Sequence, residues 1–264
     1  MTALAALAAV ALVAGPQAGA PAPCGLPALR ETPAPFRPGE TLTYDVDVMG
    51  MVKAGTLTLA VDPPMTGGSL LPLRARFRNT SVFAQMRKVR GHALSWVDAV
   101  TLRPQRYRDD AEEDGVRKTT DTRLDQPGPA TMSWAFGERT GTSTLERRGE
   151  VLDLVSMMYR LRASRLAPGD RLCFDLVANR RFWRLTGTVS EKSERVESAA
   201  GIFDAWRLDA TLARAEGPGA PRPVHLWFST DDRRLPVAAV SEIDVGPVRA
   251  MLSRVSGPGS DPTD

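Results

Sequence analysis

From Val224 to Ser253 the chain reads VHLWFSTDDRRLPVAAVSEIDVGPVRAMLS, and this stretch constrains the fold more than any other. Val224, Leu226 and Phe228 alternate with His225, Trp227 and Ser229. A period of two sends the two sets to opposite faces of a sheet. Ser229-Thr230-Asp231-Asp232 supplies turn side chains that bond their own backbone. Pro236 opens the next segment, where its missing N–H does little harm. Val237, Ala239, Ser241, Ile243 and Val245 then share one face, and Gly246-Pro247 turns the chain into Val248, Ala250 and Leu252. Three consecutive antiparallel strands are the expectation here.

The same rhythm runs through the rest of the chain. Leu42, Tyr44, Val46 and Val48 alternate with Thr41, Thr43, Asp45 and Asp47, and Gly55 to Val61 returns after a turn at Gly50. Leu73, Ala75 and Phe77 alternate with Arg74, Arg76 and Arg78. Further short runs follow at 93–97, 103–107, 116–124, 131–136, 142–146, 171–177, 182–189, 195–197 and 205–212, with Ala200 to Phe203 read as a turn. Turn residues punctuate them every ~8–12 residues, the spacing of a sandwich, barrel or curved sheet. Thr80 to Val89 reads as a short helical turn.

Asp153 to Arg165, DLVSMMYRLRASR, breaks the pattern with apolar residues at 154, 155, 157, 158 and 161. It is read as an amphipathic helix capped by Asp153, with Arg160, Arg162 and Arg165 at the end where cations suit the macrodipole. The expected fold is therefore mainly β: a single large curved antiparallel sheet of about twelve strands, a half-barrel or open barrel, with one amphipathic helix packed across it. One small helix cannot cover so broad a sheet. Either the sheet curls on itself or it leaves a concave apolar pocket.

At the N-terminus, Ala3 to Gly15 is a short apolar run followed by small residues, with Ala18 and Ala20 before a cleavage point. Residues 1–20 are read as a signal peptide, although no Lys or Arg precedes the run and Pro21 follows the small pair. Residues 21–36 form a Pro-rich extended arm, 37–256 one β domain and 257–264 a disordered tail. The expected location is periplasmic or extracellular after removal of the signal, peripheral to the outer membrane in one version of the reading. Cys24 and Cys173 are the two cysteines, and in an oxidising compartment they are a candidate disulfide that would tie the arm to a strand; one buried and one exposed thiol is the alternative.

A net charge of +3 is well below what a dedicated nucleic-acid binder carries, so no nucleic-acid partner is expected. His92 and His225 have no metal-ligand neighbours at HxxxH or CxxC spacing, and no Walker loop, dinucleotide fingerprint or G-x-S-x-G elbow is present. No metal, cofactor or catalytic residue is assigned. Asp110, Glu112, Asp114, Gly115 and Asp121 loosely fit a calcium loop, but Arg117 and Lys118 lie inside it, and a solvated hairpin tip fits better. Arg74, Arg76 and Arg78 are candidates for an anionic partner, with a plain solvated face as the alternative.

Four segments carry a resemblance: PFRPGETLTYDVDVMGMVKAG at 35–55 with Gly39, Glu40, Leu42, Tyr44 and Gly55; DLVSMMYRLR at 153–162; AAGIFDAWRL at 199–208; and VHLWFSTDDRRLPV at 224–237, followed by Gly246-Pro247-Val248. In order and spacing they resemble an exported bacterial family known as domain of unknown function 3108. The resemblance implies an envelope location and no agreed activity. The expected architecture is also similar to the periplasmic lipoprotein carriers of the LolA/LolB type.

These readings lead to a non-enzymatic envelope protein that holds a lipid, lipopolysaccharide or lipoprotein acyl chain in a concave sheet, the helix acting as lid or plug. Trp96, Trp134, Met157, Met158, Phe182, Trp206 and Trp227 are the candidate pocket residues. The alternative is an envelope structural or interaction module that binds a protein partner, and a hydrolase ranks third because no acid–base pair stands out.

Overall fold

The computed structural model describes residues 25–258, apart from 32, 49, 51, 66, 148, 244 and 245. The expected signal peptide, Cys24 and most of the C-terminal tail lie outside the described residues. The first half of the chain forms β1 (Thr41–Val48), β2 (Val52–Val61), β3 (Leu70–Asn79), a one-turn helix α1 (Phe83–Met86), β4 (Val89–Asp98), β5 (Pro104–Glu113), β6 (Val116–Arg123), β7 (Ala130–Phe136) and β8 (Arg139–Leu145). Then come β9 (Val151–Asp153), α2 (Leu154–Ala163), β10 (Arg171–Ala178), β11 (Arg181–Val189), β12 (Glu194–Ser198) and β13 (Gly201–Arg214). The chain closes with β14 (Arg222–Ser229), β15 (Pro236–Ile243) and β16 (Gly246–Ser256).

All sixteen strands belong to one sheet, in the order β8-β7-β6-β5-β4-β3-β2-β1-β16-β15-β14-β13-β11-β10-β9, with β12 as a flap on β13. Pairing β1 with β16 joins the two ends of the chain at the centre of the sheet. Among the described residues the outer strands β8 and β9 do not pair, so the sheet curls without closing. Its one parallel pairing is β9 beside β10. The sheet has sixteen strands where about twelve are expected, and β9, three residues long, has too few positions to show alternation. The chain at Gly201 to Phe203 also belongs to β13 rather than to a turn.

Alternation sets the strand faces as expected. In β1, Leu42, Tyr44 and Val46 are buried while Thr41, Thr43 and Asp45 are half-buried. In β3, Arg74, Arg76 and Arg78 are all exposed, on the outer face. Asp114 and Gly115, with φ of 51° and 81°, make the tight turn between β5 and β6, a conformation that Asp-Gly accepts readily. Gly55 is required by packing: a Cβ there would lie 2.3 Å from the Arg78 carbonyl oxygen.

Helix α2 forms where the sequence places it. Asp153 caps it, its Oδ1 accepting from the N–H groups of Val155 and Ser156 at 2.9 Å each, and Ser156 Oγ accepts from Asp153 N–H at 3.0 Å. This reciprocal box satisfies donors that a helix start otherwise leaves open. The helix is not amphipathic in its surroundings. Val155, Tyr159 and Ala163 join one apolar cluster, with Leu42, Leu73, Val97 and Leu252. Met157 and Leu161 join a second, with Leu176, Leu185, Leu208 and Phe228. Residues four apart lie on one helix face, so α2 presents one face to a cluster drawn from both halves of the sheet and another to a cluster drawn from β9 to β14. The helix packs across the curled sheet, as expected, and is buried on both of these faces.

Burial of Arg162 corrects the macrodipole reading of that residue. It is 0% exposed, and its guanidinium pairs with Glu40 at 2.6 and 3.1 Å. Its Nη2 also donates to the carbonyls of Pro35 and Arg233. The arm docks at the same end of the helix: Arg30 N–H donates to Ala163 O, and Arg165 N–H to Ala28 O. Phe36 meets Tyr159 edge to face, ring centroids 4.9 Å apart. One end of the curled sheet is thus stoppered by α2 and the arm.

Candidate functional site

The other end of the sheet is open. A cleft of about 600 Å³ lies there, between the C-terminal end of β1, the N-terminal ends of β2, β4 and β16, the end of β3, α1, the β5–β6 hairpin and the β10–β11 turn. Its walls are apolar: Val46, Val48, Ala54, Leu57, Phe77, Phe83, Val89, Val248 and Ala250. These side chains stand on the inner face because the period-two pattern puts them there, and the curl brings the ends of distant strands together.

Arg87, Lys118, Arg180 and Arg222 line the same cleft, against one carboxylate, Glu113. Glu113 pairs with both Arg87 and Lys118. Arg180 projects from the turn between β10 and β11, where Asn179 and Arg180 adopt φ of 50° and 60°. Its guanidinium lies over Phe136, 4.6 Å from the ring centroid, with the Lys118 ammonium 5.3 Å from the same ring. Nε of Arg180 is buried and has no hydrogen-bond partner among the described residues. Desolvation, then the nearby Arg180 and Arg87 charges, hold the Lys118 ammonium below its ordinary pKa. Deeper on β5, burial pushes the Asp109 carboxyl up, offset in part by hydrogen bonds from Thr120 and Tyr107. An apolar pit with a cationic rim can hold an amphiphile whose head is an anion.

The structure does not gather the seven candidate pocket residues. Met157 and Phe182 are buried in the two closed clusters, and Met158 packs against both. Trp206 packs on the second cluster and carries Arg234 over its ring at 4.3 Å. Trp227 packs on the first and donates to Glu194. Trp134 stands on the inner face, its indole N–H donating to Ser143 at 3.3 Å. Trp96 faces outward with Arg106 against its ring. None of the seven lines the open cleft. The cleft residues were missed because they come from nine separate segments; the one local signal was the pair of inward-facing Val46 and Val48.

The sequence pattern of the family described as "Protein of unknown function (DUF3108)" matches residues 43–253. The chain belongs to this family. No curated protein matches the sequence significantly. Among solved structures, the DUF3108 chain is similar to a beta-barrel-like protein of the DUF1849 domain from Brucella abortus. That likeness has a TM-score of 0.57 at 12% identity, and it covers 83% of this chain and 97% of the other. It shows a shared fold. A candidate exported protein with a YmcC-like fold from Bacteroides fragilis also matches, at a TM-score of 0.34 and 12% identity over 89% of this chain and 100% of the other.

In this DUF3108 protein, three of the segments that carry the family resemblance meet at the stoppered end. Phe36, Glu40 and Tyr44 come from the first, Tyr159 and Arg162 from the second, Arg233 and Pro236 from the last. Tyr44 Oη donates to Pro236 O at 2.9 Å. This is a structural junction rather than a site.

Polar depressions also line the outer face of the first half-sheet, between Thr41, Arg76, Arg78, His92, Arg108 and Arg117. Most charges there are paired: Arg74 with Asp62, Arg90 with Glu112, Arg106 with Asp121 and Arg117 with Asp110. Asp110 and Asp121, the ends of the calcium-like pattern, are therefore engaged by arginines, and Arg117 holds the Asp110 carboxyl below its usual range. Arg76 and Arg78 have no carboxylate partner among the described residues, and they alone of the three arginines on β3 stay available. His225 Nδ1 lies 2.6 Å from Asp209, which Arg207 also contacts, with no nucleophile in the set. Cys173 is disulfide-bonded. Its N–H donates to Gly25 O at 3.2 Å, which places the described start of the arm beside β10.

Proposed function

We propose that this protein is an exported, non-enzymatic envelope protein that holds an amphiphile in the open end of its curled sheet. The apolar cleft of about 600 Å³ carries the reading, since small-ligand sites fall at roughly 300–1,000 Å³ and are mostly apolar with a few placed polar groups. Burial of a chain there gains about 0.8 kcal/mol per methylene. With α2 stoppering the opposite end, a chain enters and leaves by one mouth. Export is supported by the signal-like N-terminus and by a disulfide at Cys173, because such bonds persist in oxidising compartments.

The test is native mass spectrometry of the mature protein taken from a bacterial periplasm, followed by organic extraction. The reading expects a near-stoichiometric amphiphile. A ligand-free mass that stays unchanged after incubation with envelope lipids overturns it.

A second reading rests on Arg76 and Arg78, exposed and without carboxylate partners on a polar face. That face suits an acidic surface on a protein partner. Capture of such a partner by the native chain and its loss in the Arg76→Glu/Arg78→Glu variant is the result this reading expects.

A further inference from the structure

Resting on the carrier reading, the cationic rim of the cleft defines the head group. Four cations line the cleft against Glu113. Glu113 is shared by Arg87 and Lys118, and Asp114 lies 3.9 Å from Arg87, whereas Arg180 has no carboxylate partner among the described residues. Arg180 is held at the cleft by its left-handed turn and by Phe136, and its buried Nε lacks a partner among the described residues. A buried, unsatisfied donor on a charged group costs more than an exposed one, and an incoming anion removes that cost. Crowded like charges in an apolar setting repel until an anion enters between them.

We propose that the cleft binds a single-chain amphiphile with a carboxylate or phosphate head, the head seated at Arg180 and Lys118 and the chain along Val46, Phe77 and Val89. The cleft of about 600 Å³ falls within the roughly 300–1,000 Å³ of small-ligand sites, a size that suits a single-chain amphiphile. Arginine's planar fork suits either oxyanion through paired hydrogen bonds.

The experiment titrates hexadecanoate, hexadecyl phosphate and hexadecan-1-ol into the delipidated mature protein, and repeats this with Arg180→Gln and Lys118→Met. One or both anions are expected to bind at least tenfold tighter than the alcohol, and each variant is expected to lose about tenfold for the anion while leaving the alcohol unchanged. Comparison of the two anions separates a carboxylate from a phosphate head. If acid, phosphate and alcohol bind equally and the variants change nothing, the head-group assignment fails while the carrier reading survives. If none of the three binds, the carrier reading itself fails. Should Arg180→Gln unfold, the alcohol comparison and Lys118→Met still decide, since neither alters the turn.

Discussion

Arg162 and Glu40 stand 122 residues apart in the chain and meet through two hydrogen bonds of 2.6 and 3.1 Å, with the arginine side chain fully enclosed. The pair joins the end of α2 to the residue just before β1. It also anchors the carbonyls of Pro35 and Arg233, so a single guanidinium holds the arm, the helix and the β14–β15 turn together. Removing one partner strands a buried charge, which costs about 3–5 kcal/mol. Arg162→Met and Glu40→Leu should each lower the unfolding free energy, measured by denaturant titration, by that order. The double variant should recover part of the loss, because neither charge is then stranded. Additive losses in the double variant would falsify this account.

Two buried tyrosines should respond in opposite ways to loss of the hydroxyl. Tyr44 Oη donates to Pro236 O, while Tyr159 Oη is buried without a partner among the described residues. Tyr44→Phe should destabilise by about 1 kcal/mol. Tyr159→Phe should be neutral or stabilising, since it removes an unsatisfied group and keeps the ring beside Arg162. Thermal melts of the two variants side by side check the contrast.

Asp153 is fully buried, and its carboxyl receives Ser95 Oγ at 2.6 Å and Ser156 Oγ at 2.9 Å besides the capping bonds. Desolvation outweighs these bonds and raises its pKa above the unfolded value. In the window between the two values the native state holds more proton than the unfolded chain, so this group's contribution falls as pH rises through the window. Asp153→Asn keeps a good cap and has no charge to bury. The difference in unfolding free energy, wild type minus Asp153→Asn, should therefore decrease as pH increases from about 4 upward. A pH-independent difference, measured by denaturant titration, contradicts the assignment.

Gly55 sits where a methyl group would meet both the Arg78 carbonyl oxygen and the Phe77 ring, at 2.3 and 2.7 Å. Gly55→Ala forces β2 and β3 apart and should cost about 1–3 kcal/mol. Because Phe77 also lines the open cleft, the same variant should weaken amphiphile binding. Binding unaffected at full occupancy of the fold would separate Phe77 from the site.

Cys173 is disulfide-bonded and Cys24 is the chain's other cysteine. An intramolecular Cys24–Cys173 bridge closes a long loop and should contribute about 2–5 kcal/mol. Alkylation without reductant should add no mass, and reduction should lower the melting temperature. A reductant-sensitive dimer would show instead that the bond joins two chains.

Period-two alternation was enough to place β1, β3, β14, β15 and the β5–β6 turn, because each depends on neighbours within one hairpin. Asp153 as cap was legible for the same reason: its partners are two and three residues away. The candidate site was not legible. Trp96 and Trp227 stand in strands as expected, yet they face away from the cleft, since a tryptophan's strand does not reveal which way the sheet curls.

By itself the sequence determined a mostly antiparallel sheet, one capped helix and the faces of most strands. These follow from backbone geometry repeated every two or 3.6 residues. Only the tertiary structure decided that α2 packs against both apolar clusters, that Arg162 is enclosed, and that Val46, Phe77, Lys118 and Arg180 share one cleft. Curl arises from accumulated strand twist across sixteen strands and from the pairing of β1 with β16, and no local window contains either.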